Sequence, residues 1–200
     1  MPDTWSAEPT SRQMLEIRPL ALEGVLEIRP TRFEDERGFF SEVWNEFRWN
    51  EAGIKANFVQ DNHSLSKQRG VLRGLHYQIP PMGQAKLVRV SRGAIFDVAV
   101  NIRHGSPDFG RWVSVIISAE YWNQVFIPEG FAHGFLALEP DTEVQYKVSA
   151  PYSAEHDRAI RFDDPEIGID WPIEASELIL SVKDRGAPLL AEVQSGFEHS

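Results

Sequence analysis

The feature that most constrains the fold is a succession of short strand-like runs through the middle of the chain. These runs are rich in β-branched and aromatic residues, and turn signals such as Gly105-Ser106-Pro107 separate them. Their approximate ranges are 57–66, 70–78, 85–92, 95–103, 111–118, 124–127, 133–138 and 142–149. Short strands at spacings of roughly 8–12 residues are typical of sandwiches and barrels. The pattern therefore predicts an all-β domain.

The flanking segments set the expected limits of this domain. Residues 1–13 are polar and contain two prolines, which predicts a mobile N-terminal arm. We expect residues 14–190 to form a single domain and residues 191–200 to form a C-terminal tail. The best helix candidate runs from Asn45 to Gly53, because Asn45 can cap its start and Gly53 can end it.

Composition excludes several classes of protein. The chain has no cysteine, so it cannot form a disulfide or a thiolate zinc site. Its formal charge of −10 argues against a general nucleic-acid binder, which would show a basic patch. No apolar run approaches the ~20 residues of a membrane span, and the first residues lack the apolar core of a signal peptide. We therefore expect a cytoplasmic protein without nucleic-acid or membrane partners. An anionic small ligand is still allowed, because salt screens exposed charge beyond ~8 Å.

Polar side chains interrupt the strand pattern between residues 58 and 78. The segment 71–78 has strand composition, yet it carries Arg73 and His76 in its interior. This combination predicts the wall of a polar pocket. Arg73 has an odd position and His76 an even one, so a regular strand would place their side chains on opposite faces. A β-bulge at Gly74 would turn both towards one cavity; the alternative for His76 is a core histidine satisfied by its neighbours.

Three further polar side chains occupy strand positions that usually hold apolar residues, so their side chains are expected to point inward. Tyr146 shares a strand face with Val144 and Val148, so its phenol is either bonded to backbone in the core or directed into a cavity as an acid. Lys86 matches the parity of the valines that follow it, although lysines near strand ends are often solvated. Asp97 lies in an apolar strand and requires a partner there, such as an arginine or a backbone turn.

Several ordered runs make the chain resemble the dTDP-4-dehydrorhamnose 3,5-epimerases. The matching runs are DERGFFSEVW, QDNHSLS, GVLRGLHYQ, AKLVRVSRGAIFDVAV, SPDFGRW, IPEGFAHGF, YKVSAPY, DDPEIGIDWP and SVKDRGAPLL. The resemblance covers roughly residues 22–190. It implies a cupin-like jelly roll, that is, a double-stranded β-barrel with short peripheral helices. It also implies an isomerase that needs no cofactor.

The resemblance implies a reaction and a role for four residues. In this family the substrate is dTDP-4-keto-6-deoxy-D-glucose, whose keto group acidifies the protons on carbons 3 and 5. A base removes each proton to form an enolate, and an acid reprotonates the opposite face, giving dTDP-4-keto-L-rhamnose for dTDP-L-rhamnose synthesis. By resemblance, His76 is the base and Asp184 is the carboxylate that orients it. Tyr146 is the acid, and Lys86 lies near the developing oxyanion.

Contacts to the nucleotide are implied in the same way. Phe40 is expected against the thymine ring, and the arginines suit phosphate because guanidinium groups donate hydrogen bonds in pairs. The implied binding residues are Arg37, Phe40, Glu42, Gln60, Asn62, Arg73, Tyr152 and His133. For His133 a purely structural role is an equal alternative. Family members are homodimers that exchange N-terminal strands, so the first three residues can act in the neighbouring subunit.

Three alternatives to a double epimerase follow from the sequence. Metal-dependent cupins use an H-x-H pair, but this chain reads His76-Tyr77-Gln78, so we expect no catalytic metal. A cupin module that only binds a sugar nucleotide would not need all four residues with implied catalytic roles, so the enzyme is favoured. The third alternative, a family member that epimerises only carbon 3 or only carbon 5, stays open, although an inward tyrosine at position 146 favours the double reaction.

Overall fold

The computed structural model describes residues 15–199, so the predicted N-terminal arm lies outside the described residues. Within this range the strands are β1 Leu15–Pro19, β2 Leu26–Pro30, β3 Phe33–Asp35, β4 Gly38–Phe40, β5 Gln60–Ser66, β6 Leu72–Gln78, β7 Lys86–Arg92, β8 Ala94–Asn101, β9 Trp112–Ser118, β10 Gln124–Ile127, β11 Phe131–Ala137, β12 Thr142–Val148 and β13 Asp157–Ala159. The α-helices are α1 Glu46–Glu51 and α2 Val182–Arg185, and 3₁₀ turns span Ala175–Glu177 and Leu190–Glu192. None of these helices is long and apolar enough to cross a bilayer.

Two antiparallel sheets form the body of the domain. The six-stranded sheet has the order β1-β2-β10-β7-β12-β5, and the five-stranded sheet has the order β13-β6-β11-β8-β9. Neighbouring strands are often far apart in sequence, as expected of Greek-key connections. Strands β3 and β4 form a separate hairpin. The predicted all-β, cupin-like jelly roll with short peripheral helices is confirmed.

Alternating side chains build the core between the sheets. Val88 and Val144 of the six-stranded sheet belong to the same buried cluster as Ile95, Ala99 and Phe135 of the five-stranded sheet. Burying a side chain of this size contributes about 1.5–3 kcal/mol relative to leaving it exposed. The interior of the barrel is therefore apolar over part of its length, and the polar residues of the same strands gather where this cluster ends.

Helix α1 packs against the outside of the six-stranded sheet. The Asn45 side chain accepts a hydrogen bond from the Arg48 backbone N–H at 3.3 Å, which caps the start of the helix. Gly53 follows the helix with a φ of +89°, a conformation that favours glycine. The buried ring of Trp49 anchors α1 beside Ile54. Both signals predicted from the sequence are therefore confirmed.

Loops and the C-terminal residues cover the outside of the five-stranded sheet. Ile160, Ile167 and Leu190 form a buried cluster with the outward side chains of that sheet, and Phe197 packs against it. The His104 backbone N–H also donates to the Phe197 carbonyl at 2.7 Å. The last described residues thus lie against the domain, and the loop between β13 and the C-terminus holds α2 beside β6.

A bulge in β6 brings the arginine and the histidine of this strand to one side. His76 lies opposite His133 of β11, whereas Arg73 lies opposite Phe135. Two residues of β6 therefore face the single residue Gly134 of β11. This extra residue reverses the alternation, and both Arg73 and His76 line one cavity. The bulge predicted at Gly74 is confirmed.

Replacing Gly74 with alanine is expected to destabilise the fold. A Cβ at Gly74 would lie 2.5 Å from the Gly134 Cα and 2.8 Å from the His133 carbonyl oxygen, and the φ of +130° disfavours a side chain. Overpacking of this kind typically costs ~1–3 kcal/mol, to be measured by denaturant unfolding. Gly38→Ala is the matched control, because Gly38 has a φ of +122° but nothing within 4 Å of the added Cβ. Equal losses in the two variants would contradict the close contact as the cause.

Candidate active site

A cavity of about 380 Å³ opens between the two sheets. Strands from both sheets, the 150–153 loop and the α2 region line it. Its residues are Ser64, Arg73, His76, Tyr77, Gln78, Gln84, Lys86, His133, Phe135, Tyr146, Tyr152, Asp157, Ser181, Lys183 and Asp184. All four residues with a predicted catalytic role therefore lie together, although they come from four different segments of the chain.

His76 and Asp184 form a hydrogen-bonded pair on the wall built by the five-stranded sheet. The distance from His76 Nε2 to Asp184 Oδ1 is 2.5 Å. An ionised carboxylate can only accept, so Nε2 carries the proton in the neutral ring and Nδ1 is free to take one. The side chain of His76 is 34% exposed and that of Asp184 is 4% exposed. The imidazole therefore reaches the cavity while its partner stays shielded.

Helix α2 presents the carboxylate of this pair. The Ser181 hydroxyl accepts a hydrogen bond from the Asp184 backbone N–H at 3.1 Å and so caps the helix. Burial raises the pKa of Asp184, but the hydrogen bond and charge of His76, together with Lys183, outweigh it, so this pKa lies below its usual value. Asp184 is consequently ionised at neutral pH and fixes the orientation of the imidazole.

Tyr146 faces His76 from the opposite wall of the cavity. It lies in β12 of the six-stranded sheet, between the buried Val144 and Val148, so its predicted inward direction is confirmed. Burial raises the pKa of Tyr146, and the nearby charge of Arg73 offsets this only in part. The phenol is therefore protonated at neutral pH and can act as a proton donor.

Lys86 connects the two walls. Its side chain is buried, and its Nζ donates to the carbonyl oxygen of His76 at 3.1 Å. The inward direction predicted for Lys86 is therefore confirmed. Burial lowers the pKa of Lys86 from 10.5 to about 8, while the charges of Asp97 and Asp157 oppose this change. The lysine thus carries a positive charge at neutral pH.

A second histidine–carboxylate pair lies deeper in the barrel. His133 Nε2 lies 2.8 Å from Asp97 Oδ2, and both side chains are almost fully buried. The predicted need of Asp97 for a partner is met by this histidine rather than by an arginine or a turn. Burial lowers the pKa of His133 although Asp97 raises it, so the ring is neutral at neutral pH. His133 also reaches the cavity, so lining and structural roles are combined in one side chain.

Among the predicted nucleotide contacts, those on β6 and on the 150–153 loop line the cavity, and those on β5 connect to them. Arg73 and Tyr152 line it directly. Gln60 Oε1 accepts a hydrogen bond from the Tyr152 backbone N–H at 2.9 Å, and Gln60 Nε2 donates to Asn62 Oδ1 at 2.8 Å. Asn62 is paired with Tyr146 in the sheet register, so it shares the inward face of β5.

The other predicted contacts lie elsewhere on the chain. Arg37 is in the β3–β4 turn and pairs with Asp35. Phe40 ends β4 and is 70% exposed, while Glu42 pairs with Arg48 beside α1. These three predicted residues do not line the cavity of the described chain, so within one subunit the structure does not bring them to His76 and Tyr146.

Several cavity residues were not predicted from the sequence. Ser64 lies on the inward face of β5, and its parity with Asn62 could have identified it. Asp157 lies near the α2 region and pairs with Lys183. Gln84 precedes β7. Asp157 and Gln84 lie at or just before the start of a strand, and Lys183 lies in α2, so the alternation of strand side chains gave no signal for them.

The position that holds a metal ligand in other cupins has a different role here. Gln78 lies two residues after His76, and its amide bonds to the backbone at Met82, Pro151 and Ser153. Over residues 15–199, no group of three His, Cys, Asp or Glu side chains is arranged to hold a metal ion. That the reaction uses no catalytic metal stays a prediction.

The fold and the cavity together define a cupin-type acid–base isomerase. A histidine hydrogen-bonded to a carboxylate faces a protonated phenol across a cavity that also holds a buried cation. The sequence profile of the dTDP-4-dehydrorhamnose 3,5-epimerases matches residues 19–192. The chain belongs to this family.

Relatives and solved structures agree with this assignment. The chain is 52% identical to the dTDP-4-dehydrorhamnose 3,5-epimerase of Sinorhizobium fredii, over 90% of this chain and 92% of the relative. It is 50% identical to that of Pseudomonas aeruginosa, over 86% and 94% of the two chains. The RmlC structure from Legionella pneumophila, in complex with dTDP-4-keto-L-rhamnose, superposes with a TM-score of 0.88 at 44% identity, covering 93% of this chain and 99% of that one.

Proposed function

We propose that this protein epimerises carbons 3 and 5 of dTDP-4-keto-6-deoxy-D-glucose to give dTDP-4-keto-L-rhamnose, in dTDP-L-rhamnose biosynthesis. The observation that carries the proposal is the His76–Asp184 pair facing Tyr146 across one cavity in a member of this family. The dTDP-4-keto-L-rhamnose bound to the Legionella relative supports the choice of product. The reaction moves protons only, so it requires no redox cofactor.

In the first step, His76 removes the proton next to the 4-keto group. Its unprotonated Nδ1 is the acceptor, because Nε2 bonds to Asp184. The ionised carboxylate stabilises the imidazolium that forms and keeps the ring in the required tautomer. The C–H bonding pair becomes the enolate double bond, and the negative charge moves to the oxygen on carbon 4.

Lys86 stabilises this negative charge. Its ammonium group is buried, so it acts where water screens it little. Removing one such electrostatic contact typically costs ~10²–10³ in rate. Its bond to the His76 carbonyl also keeps the cation beside the base.

Tyr146 completes the reaction by reprotonating the carbon from the opposite face. Because the two side chains belong to facing sheets, a planar enolate between them is approached from two sides. The proton added by Tyr146 therefore inverts the configuration. The same pair can serve carbon 3 and carbon 5 in turn if the sugar ring changes its position relative to the walls, once exchange with solvent has removed the proton from His76 and returned one to Tyr146.

The nucleotide half of the substrate is proposed to lie against the remaining polar residues. Arg73 supplies a guanidinium for the diphosphate, while Gln60, Asn62 and Tyr152 face the nucleoside, and His133 lines the floor. The charges suit this ligand because the cavity holds cations within a chain of net charge −10.

We propose a homodimer in which Arg37, Phe40 and Glu42 act in the neighbouring subunit's site. The exposure of Arg37 and Phe40 supports this, and none of the three residues lines the cavity of its own chain. Mixing inactive Arg37→Ala and His76→Asn subunits should restore activity, because one site of the hybrid is then intact; absence of restoration would place Arg37 in its own subunit's site. The exchange of N-terminal strands, the cytoplasmic location and the absence of nucleic-acid or membrane partners stay predictions.

Turnover of dTDP-4-keto-6-deoxy-D-glucose in deuterated water, followed by NMR, tests the reaction. Deuterium at both carbon 3 and carbon 5, with conversion to the L-rhamno product, is expected. No exchange despite tight binding of dTDP would favour a binding module and overturn the proposal.

A single-carbon epimerase is the second candidate, and one solved structure favours keeping it. ChmJ, a 3'-monoepimerase from Streptomyces bikiniensis in complex with dTDP-quinovose, superposes with a TM-score of 0.80 at 37% identity, covering 86% of this chain and 87% of that one. Deuterium at only one of the two carbons in the same NMR experiment would establish this alternative.

The lowered pKa of Lys86 predicts an alkaline limit to activity. The pKa of about 8 means that Lys86 loses its charge as pH rises through 8, so kcat/KM should fall above that pH. An arginine keeps its charge throughout, so in Lys86→Arg the fall should move to higher pH while the rate at neutral pH decreases. An unchanged profile in Lys86→Arg would assign the alkaline limit to another group.

A further inference from the structure

The amide of one buried glutamine bonds to the backbone of two residues in the 150–153 loop. Gln78 is 3% exposed. Its Nε2 donates to the carbonyl oxygens of Met82 at 2.7 Å and Pro151 at 3.1 Å, and its Oε1 accepts from the Ser153 backbone N–H at 2.7 Å. Both amide hydrogens and the amide oxygen are thus used. The two bonds to the loop lie on either side of Tyr152.

A second glutamine holds the start of the same loop. Gln84 Nε2 donates to the Ala150 carbonyl at 2.8 Å. Between them, Gln78 and Gln84 bond to the backbone of residues 150, 151 and 153. Both also line the cavity. Gln78 joins the loop to β6, which carries His76, and Gln84 joins it to the segment that precedes β7.

The side chain of Tyr152 has little other support. It is 62% exposed, and its hydroxyl group makes one long hydrogen bond of 3.4 Å to Asp157. An exposed ring of this kind is placed by its backbone rather than by packing. The backbone of the loop is in turn placed by side-chain amides, because the loop belongs to no strand.

We infer that Gln78 and Gln84 are positioning residues that hold Tyr152 in place at the mouth of the cavity for the nucleotide half of the substrate. The inference deepens the proposed function and rests on it for the identity of the ligand. Holding the loop in its bound conformation before the ligand arrives removes an ordering cost from binding. The effect belongs to binding and not to proton transfer, because neither glutamine bonds to the base or the acid.

The variant that tests this is Gln78→Met, which keeps the length and removes all three hydrogen bonds. KM for the dTDP-sugar and Kd for dTDP should rise about tenfold, while kcat changes by less than about threefold. Gln84→Met removes a single bond and should give a smaller change in the same direction. It also provides a readout if Gln78→Met does not fold.

A double-mutant cycle separates positioning from general destabilisation. If Gln78 acts through Tyr152, then Gln78→Met should add less than about twofold to Kd in a Tyr152→Ala background. The same tenfold increase in both backgrounds, or an unchanged Kd in the single variants, would overturn the inference. Because this cycle measures binding of dTDP, it reports on the positioning of Tyr152 even if turnover of the keto-sugar fails.

The matched control is Asn123→Leu. Asn123 is also a buried amide with three hydrogen bonds, to Ser118, Ile116 and Glu27, but it does not line the cavity. Its replacement should lower the melting temperature and leave Kd unchanged. A rise in Kd equal to that of Gln78→Met would show that loss of stability alone accounts for the effect, and would overturn the inference.

Discussion

Replacing His76 with asparagine is expected to abolish deuterium exchange at both carbon 3 and carbon 5. The variant lacks the ring nitrogen that accepts the substrate proton, and general acid–base catalysis contributes roughly 10²–10⁴ in rate. Asparagine retains an N–H donor, so the buried carboxylate of Asp184 need not lose every partner. We therefore expect folding to be intact and kcat to fall by about 10³ or more, measured by NMR under saturating substrate.

A third histidine–carboxylate pair, on the surface, provides the control for this variant. His63 Nε2 lies 3.0 Å from Glu143 Oε2 on the outer face of the six-stranded sheet, away from the cavity. His63→Asn removes a similar pair and should leave exchange at the wild-type rate. Wild-type turnover by His76→Asn would refute the role of His76 as the base.

Replacing Tyr146 with phenylalanine is expected to separate exchange from inversion. The variant keeps the ring that packs between Val144 and Val148 but removes the proton donor. His76 can still take a proton and return a deuteron to the same face, so exchange should continue while product formation falls by roughly 10²–10³. Both rates are read from one NMR time course.

Tyr121→Phe is the control, because Tyr121 is exposed and lies outside the cavity. It should match the wild type in exchange and in turnover. If Tyr146→Phe loses exchange and turnover equally, the phenol takes part in proton abstraction, and its assignment as a separate acid is wrong.

Strand periodicity predicted the parts of the site that lie on regular strands. The inward directions of Tyr146 and Lys86 follow from the valines that share their faces, since alternation is a local property of a strand. The bulge at Gly74 was predictable because Arg73 and His76, one at an odd and one at an even position, were both expected to line the same cavity. Glycine between them made this geometry possible.

The parts of the site that depend on distant contacts were not predictable from pattern. Asp184 was placed only through family resemblance, because α2 has four residues and no periodicity. The partner of Asp97 proved to be His133, which lies on the neighbouring strand and 36 residues further along the chain. Arg37, Phe40 and Glu42 were expected at the nucleotide by resemblance alone, and none of them lines the cavity of its own chain.

The extra residue in β6 divides this strand into two halves with opposite phase. Upstream of it, odd-numbered Arg73 faces the interior; downstream, even-numbered His76 and Gln78 do, while Leu75 and Tyr77 pack beneath the covering loops. Deleting Gly74 would restore a single phase and turn the downstream half inside out. His76, the proposed base, and Gln78, the proposed positioning residue, are therefore fixed to one another in phase, so a one-residue change in the length of this strand is expected to remove proton transfer and nucleotide binding together.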